Sequence, residues 1–390
     1  MMNNFEFRQP IQLIFGVGEV KRIGEVTKEH GKRALLVTYP KNEGLGNIVD
    51  RVTDYLKKEG IEVILFDKVQ ANPVVSTVDE GGKIAREKGC DVIIGLGGGS
   101  AMDSAKTIAI SAENKEGIWS FIPPTDPPNK VPQKALPIVL IATTAGTGSD
   151  ADRWFVVTNP DEKRKIGVGF PVTYPKASII DPELMLSIPP KQTASTGLDV
   201  LFHVLESYVH SSRSRINDML SEESMRIVAQ NLERVYKNGN DLEARTNMAW
   251  ANTSAGIAED MAGVVMLHSM GIAPGGWVDM THGIAVAACV LPWMRFSIDA
   301  EPERFAKIAE FLGEDVDGLP VSKAAAKSID AVERLMKSVD SMVTLSDFGI
   351  KEDMLETFTD ANFKYYEGLL DVSPKKPTRE QLLQLYKECL

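Results

Sequence analysis

The chain carries only five histidines in 390 residues. Three of them follow an aspartate in an order that metal chemistry could use: Asp199-Val200-Leu201-Phe202-His203, then His268, then His282. Asp199 and His203 are four residues apart in a helical pattern, which stacks carboxylate and imidazole on one face about a turn apart, within reach of a single cation. His268 is expected at the end of an apolar helix running from Ala262 to Leu267, and His282 follows the glycine-rich Gly275-Gly276-Trp277. One carboxylate with three imidazoles suits a divalent transition ion such as Fe²⁺ or Zn²⁺. Taken singly, each histidine reads better as a core or helix-capping residue; the joint pattern is what favours a metal. His30 and His210 lack such company and read as surface residues.

A second motif, Gly97-Gly98-Gly99-Ser100-Ala101-Met102-Asp103-Ser104-Ala105-Lys106, follows an apolar run and opens a helix. Consecutive glycines let backbone approach a ligand, and the free N–H groups and dipole of a helix start attract phosphate, so a diphosphate-bearing ligand fits. The competing reading is a tight strand-to-helix turn with no ligand, although three glycines exceed what a turn needs. The spacing departs from Gly-x-Gly-x-x-Gly, so the topology need not be the standard dinucleotide fold.

The elements that must position these motifs divide in character. Ala34–Thr38, Val63–Phe66, Asp91–Leu96 and Ile138–Ala142 read as strands, and the stretches from Asn47 to Glu59 and from Thr77 to Lys88 read as helices. The Asp91–Leu96 run is apolar without alternation, as in a strand covered on both faces. Strand-helix-strand units imply a parallel sheet flanked by helices. Pro123-Pro124-Thr125-Asp126-Pro127-Pro128 reads as a loop, and Thr143-Thr144-Ala145-Gly146-Thr147-Gly148-Ser149 as a turn of small and hydroxylated residues. Beyond Ile188-Pro189-Pro190 the periodicity is helical almost throughout, as in Glu222 to Tyr236 and Phe305 to Leu312. An α/β domain over residues 1–187 and an all-α domain over 188–390 are therefore expected.

Composition removes other classes. With 43% hydrophobic and 25% charged residues the chain is globular. Its 43 basic against 54 acidic side chains, a net charge of −11, argue against nucleic acid and anionic membranes. The densest basic cluster, Lys163-Arg164-Lys165, is flanked by Asp161 and Glu162 and reads as a solvated turn. Cys90, Cys289 and Cys389 are too scattered for a disulfide framework, which fits a reducing cytoplasm. Met1-Met2-Asn3-Asn4-Phe5-Glu6-Phe7 shows neither a basic leader nor an apolar core, and no stretch reaches the roughly 20 apolar residues of a membrane span.

Gly97-Gly98-Gly99-Ser100 with Asp103 and Lys106, the Thr143–Ser149 turn, Asp181-Pro182, Asp199 with His203, His268, and His282-Gly283 stand in an order that resembles the iron-containing (group III) alcohol dehydrogenases over nearly the whole chain. Asn159-Pro160-Asp161-Glu162-Lys163 and Leu291-Pro292-Trp293-Met294-Arg295 resemble most the branch of butanol dehydrogenases and NADPH-dependent aldehyde reductases. The resemblance implies the dehydroquinate synthase-like fold, a dinucleotide-binding α/β domain and a helical metal domain with the active site in the cleft between them. By the same resemblance Asp199, His203, His268 and His282 hold iron, or zinc. Gly97, Gly98, Gly99 and Ser100 form the diphosphate loop, Asp103 belongs to the cofactor-binding set, and Thr143, Thr144 and Thr147 contact the nicotinamide side. A family lysine at the cofactor ribose falls on Lys163 or Lys165, and Asn72 of Asn72-Pro73 matches a position near the cofactor, although Asn-Pro commonly marks a turn. A homodimer or larger even-numbered oligomer is implied, and Ile11–Phe15 is a strand that could pair across subunits.

Three positions depart from the family. Where many NAD-using members carry an aspartate that bonds the adenosine ribose, this chain has Tyr39, then Pro40, Lys41 and Asn42. The charge that would repel a 2′-phosphate is missing, so NADP is admissible beside NAD, is the cofactor favoured, and Lys41 or Asn42 could meet its phosphate. Ile272 stands where many relatives have a histidine and cannot move a proton, leaving that work to water and the cofactor ribose or slowing catalysis. Asp150-Ala151-Asp152-Arg153-Trp154 replaces glutamate and small residues, as a change of substrate choice or as ordinary packing. The activity implied is hydride transfer between NAD(P)(H) and a short-chain alcohol or aldehyde, with Phe202, Met266, Met270, Ile272 and Trp277 as an apolar pocket. Two alternatives remain: a metal- and NAD-dependent lyase of the dehydroquinate synthase type, and a metal- or nucleotide-binding protein with impaired catalysis.

Overall fold

The computed structural model describes residues 4–42, 44–123, 130–278 and 280–390. Pro124 to Pro128 of the expected loop, and Met1 to Asn3 of the amino-terminal reading, lie outside them. The chain forms two compact units, 8–187 and 188–390, the second including the described residues before Arg8.

The first unit is built on β1 (Gln12–Phe15), β2 (Arg33–Val37), β3 (Glu62–Phe66), β4 (Val92–Gly97), β5 (Ile138–Ala142) and β8 (Ala177–Ile180), with a separate hairpin of β6 (Trp154–Asn159) and β7 (Arg164–Gly169). The six strands form one sheet in the order β1-β8-β5-β4-β2-β3, all neighbours parallel. The strands read from sequence fall within one residue of these bounds. β4 and β5 are buried at every position, because helices cover both faces of a parallel sheet and neither strand needs a polar side. On one face Val49, Val52 and Leu56 of the Gly46–Lys58 helix pack over Leu36, Ile94, Ile141 and Ile179. From β2 the chain leaves toward β3, whereas from β4 it leaves toward β5, so the order reverses between β2 and β4. Ligand crevices of doubly wound sheets open at the carboxyl ends of such strands. Tyr39 lies just past one of those ends and Gly97 terminates the other.

The hairpin corrects the reading of Lys163-Arg164-Lys165 as a solvated turn. Only Lys163 is exposed, in the turn itself with φ +48°. Arg164 and Lys165 open β7 and are buried. The Arg164 guanidinium stacks on Trp119 at 4.6 Å, donates to the Pro123 carbonyl at 2.9 Å and pairs with Glu162 at 2.9 Å, so its charge is met by an aromatic face, a backbone oxygen and a carboxylate.

The second unit is helical, and no strand occurs among its described residues. Its first helix, Pro190–Val209, starts with proline at a position whose N–H would have no intrahelical partner. The expected helix through Ala262 to Leu267 is not continuous. The Leu242–Ala262 helix stops at Gly263, whose φ of +92° suits glycine, Val265 is extended, and a new helix, Met266–Gly275, begins. His268 therefore sits in the first turn of a helix and not at the end of one. His282 opens the next helix, His282–Ser297. His210, expected on the surface, is 4% exposed, with its Nδ1 accepting the Ser212 N–H at 2.9 Å. Among the described residues no helix is long and apolar enough to cross a membrane.

Candidate metal and nucleotide sites

Three helices of the second unit bring Asp199, His203, His268 and His282 together, with one ligand atom from each lying within 4.8 Å of all the others. Asp199 Oδ1 is 3.8 Å from His282 Nε2 and 4.0 Å from His268 Nε2, and the His203 and His268 rings are 4.3 Å apart. Gly283 permits the approach, since a Cβ there would collide with the Ser195 carbonyl one turn before Asp199. His203 Nδ1 stands 2.7 Å from the Asp199 carbonyl, so this nitrogen carries the proton and donates, leaving Nε2 with its lone pair toward the cluster.

His268 is oriented by a residue that the sequence reading missed. Glu206, fully buried, accepts the backbone N–H groups of Val265 at 2.9 Å and His268 at 3.0 Å, and its Oε2 makes a short hydrogen bond to His268 Nδ1. Asp199, His203 and Glu206 are spaced i, i+4, i+7, the spacing of one helix face, and that signal was available in the sequence. Burial, and next the neighbouring His203, hold the His268 imidazole well below its ordinary pKa against the pull of Asp199, so it is the neutral base that a metal requires. Burial likewise pushes the Glu206 carboxyl up to about 8. Among the described residues His268 Nε2 has no hydrogen-bond partner although it is buried. A buried ring nitrogen without a partner is costly unless something binds it. One carboxylate and three imidazoles fit a divalent transition ion.

In the first unit the glycine run abuts the threonine turn. A Cβ on Gly98 would stand 2.8 Å from Thr144 Oγ1, one on Gly99 2.5 Å from Thr147 Cγ2, and one on Gly97 2.9 Å from the Tyr39 ring. Each glycine is thus demanded by the fold's own packing, in addition to leaving the start of the Gly99–Glu113 helix without a side-chain cap among the described residues. Thr143 is tied in by its N–H to the Gly97 carbonyl at 2.9 Å. Asp103 is occupied internally, accepting from Ser149 Oγ and from the Val156 N–H, both at 2.9 Å. Lys106, fully buried, donates to Ser149 Oγ and Asp152 at 2.8 Å and to the Trp154 carbonyl at 2.6 Å. Asn72, at φ +59°, receives Lys165 Nζ on its Oδ1 at 2.7 Å. Lys41, exposed, pairs with Asp50 at 2.6 Å.

Residues 10–182 match the family described as iron-containing alcohol dehydrogenase, and residues 193–390 match its C-terminal part. The chain belongs to the iron-containing alcohol dehydrogenase family. It is 35% identical to 1,3-propanediol dehydrogenase of Citrobacter freundii over 98% of both chains. A solved archaeal halo-thermophilic alcohol dehydrogenase from a Red Sea brine pool superposes at a TM-score of 0.95, with 34% identity over 100% of both chains. The NADH-dependent butanol dehydrogenase A of Thermotoga maritima matches at a TM-score of 0.90 with 30% identity, over 100% of this chain and 99% of that one.

The activity of this iron-containing alcohol dehydrogenase is NAD(P)-dependent oxidoreduction of alcohols and aldehydes, which displaces the lyase reading and the reading of a binding protein without turnover. Its departures from the family now have surroundings. Ile272 lies one turn beyond His268 on the same helix face and is 6% exposed, so no proton carrier stands at that position. Arg153 donates to the Tyr174 hydroxyl at 2.6 Å and stacks on Trp154 at 5.1 Å, while Asp152 receives Lys106 at 2.8 Å, so both side chains take part in packing. Of the expected apolar pocket, Phe202, Met266 and Met270 are fully buried in the core, whereas Trp277 is exposed.

Proposed function

We propose that Asp199, His203, His268 and His282 hold an iron ion and that this enzyme reduces short-chain aldehydes and oxidises the corresponding alcohols. The observation that carries this reading is the convergence of four ligand atoms within 4.8 Å of one another, one of them a buried imidazole nitrogen with no hydrogen-bond partner among the described residues. When bound, the ion polarises the substrate oxygen and lowers the pKa of an alcohol hydroxyl, and the nicotinamide carries the hydride. Asp199 offsets one unit of the cation's charge. Glu206 fixes the His268 ring with Nε2 toward the other ligands, and the Asp199 carbonyl does the same for His203.

For the nucleotide we assign the diphosphate to the start of the Gly99–Glu113 helix at Gly97, Gly98, Gly99 and Ser100, and the nicotinamide side to Thr143, Thr144 and Thr147. The support is the dipole and uncapped amides of that helix, at the carboxyl end of β4. Of the two candidate lysines we choose Lys165, since it pairs with Asn72 while Lys163 projects from the turn. Asp103 serves by holding the Ser149 turn and β6 in place. Tyr39 in place of a carboxylate supports use of NADP as well as NAD, with Lys41 exchanging Asp50 for a 2′-phosphate. Three free, buried cysteines support a cytoplasmic setting, and β1, an edge strand, supports assembly into a homodimer or a larger even-numbered oligomer.

The test is consumption of NADPH or NADH with butanal in the presence of Fe²⁺, run on the wild type and on His268→Ala with metal content measured in parallel. Activity and bound iron are expected to disappear together in the variant. Full turnover by a metal-free preparation would overturn the proposal.

A further inference from the structure

Besides Glu206, a second acidic side chain stands beside the metal ligands without being among them. Glu259 Oε2 lies 3.5 Å from His203 Nε2, the nitrogen left with its lone pair by the bond from Nδ1 to the Asp199 carbonyl, yet Glu259 stands outside the group of four converging ligand atoms. Its side chain is 12% exposed. Anything held by His203 Nε2 is therefore within a small molecule's length of this carboxylate. Its location is unfavourable on other grounds: Glu259 and Asp260 occupy the last turn of the Leu242–Ala262 helix, where the dipole favours cations over anions.

Ile272 follows His268 by one turn and carries no polar group. The cluster thus has an apolar side chain one turn from His268 and a carboxylate beside His203. A plain alkyl chain laid against Glu259 strips water from the carboxylate and returns nothing, which is costly. A hydroxyl or ammonium returns a hydrogen bond, and an ionised carboxylate has acceptor sites for about four, so such a group is accommodated whatever else Glu259 bonds.

We propose that Glu259 is a specificity-determining residue that receives a second hydrogen-bond donor, hydroxyl or ammonium, carried by the substrate two or three bonds from the reacting carbon. The enzyme then prefers hydroxylated or aminated short-chain alcohols to plain alkanols. This rests on the metal-site reading above and deepens it.

Three alcohols of one carbon frame test it: propan-1-ol, propane-1,3-diol and 3-aminopropan-1-ol. With wild-type enzyme, Fe²⁺ and NAD(P), kcat/KM for the diol, the amino alcohol or both exceeds that for propan-1-ol by about ten- to hundredfold, the worth of a hydrogen bond to a charged group. Preference for the amino alcohol alone identifies a cation as the partner, and equal preference identifies a neutral donor; either supports the proposal. Glu259→Leu reverses the order in favour of propan-1-ol, while the near-isosteric Glu259→Gln retains the diol and loses the advantage of the ammonium. The same ranking is read without turnover from the visible spectrum of Co²⁺-loaded protein titrated with each alcohol. Propan-1-ol used and bound as well as the other two, or a ranking unmoved by Glu259→Leu, overturns the inference and leaves the dehydrogenase reading intact. Turnover of no alcohol sinks that reading instead, and the cobalt titration still decides the role of Glu259.

Discussion

The glycine turn of the α/β unit and the ligand cluster of the helical unit solve opposite problems. The turn is continuous in sequence and its residues are small because neighbours of the same unit press on them: Thr144 on Gly98, Thr147 on Gly99 and Tyr39 on Gly97. The cluster draws on three helices far apart in sequence, and its residues are held by buried polar partners, chiefly Glu206 behind His268 and the Asp199 carbonyl behind His203. The first is specified by excluded volume and the second by hydrogen bonds. A short motif announces a steric site, whereas a site built on second partners is recognised only when the elements carrying them meet.

If that contrast is correct, each region fails in its own way. The largest effect is expected from Glu206→Gln, which leaves one acceptor oxygen where the backbone N–H groups of Val265 and His268 and the ring Nδ1 of His268 need two, and so lowers metal affinity about 10- to 100-fold, as losses of such outer partners do. Nucleotide affinity should be unchanged; competitive chelator titrations and nucleotide binding measured on the same sample check both. Equal metal affinity in variant and wild type would remove hydrogen bonding as the basis of the cluster.

Gly99→Ala is the steric counterpart. The new Cβ at 2.5 Å from Thr147 Cγ2 forces the threonine turn away, at a cost of about 1–3 kcal/mol in urea denaturation with weakened NAD(P) binding and normal metal content. Thr147→Ala in the same chain should restore part of the loss; no restoration would mean that the glycine serves the ligand alone.

The smallest effect concerns His210, a control within the helical unit, since it is buried like His268 but has a backbone N–H to bond. Burial lowers its pKa from 6.5 to about 4. The unfolded chain therefore binds more protons than the native one between those values, and stability contributed by the neutral ring is complete above pH 6.5 and lost as pH falls through about 4. His210→Asn should flatten the fall of melting temperature over that window by less than one linked proton. An unchanged slope would place the acid sensitivity elsewhere.

Much of this was legible in the chain. Apolar runs such as Ile138–Ala142 identify covered strands because a buried parallel strand has no polar face, and Asp199 and His203 could be placed side by side because helical periodicity fixes which residues share a face. Other features were not. The β6–β7 hairpin escaped because Lys163-Arg164-Lys165 looks solvated until Trp119 and the Pro123 carbonyl are seen to receive Arg164. His268 was misplaced within its helix because the break at Gly263 is a backbone event that apolar periodicity does not register. Lys163 and Lys165 were indistinguishable until one of them reached Asn72.

The sequence by itself determined the two-part organisation, the parallel sheet, the four metal ligands as candidates and the family, because periodicity and ordered motifs are local properties. Only the tertiary structure decided that Glu206 stands behind His268 and Glu259 beside His203, that Asp103 and Lys106 are spent on internal bonds, and that each glycine of the turn has a side chain against it. Those facts concern residues distant in sequence, and a chain does not record such distances until hydrophobic burial has packed its helices and strands together.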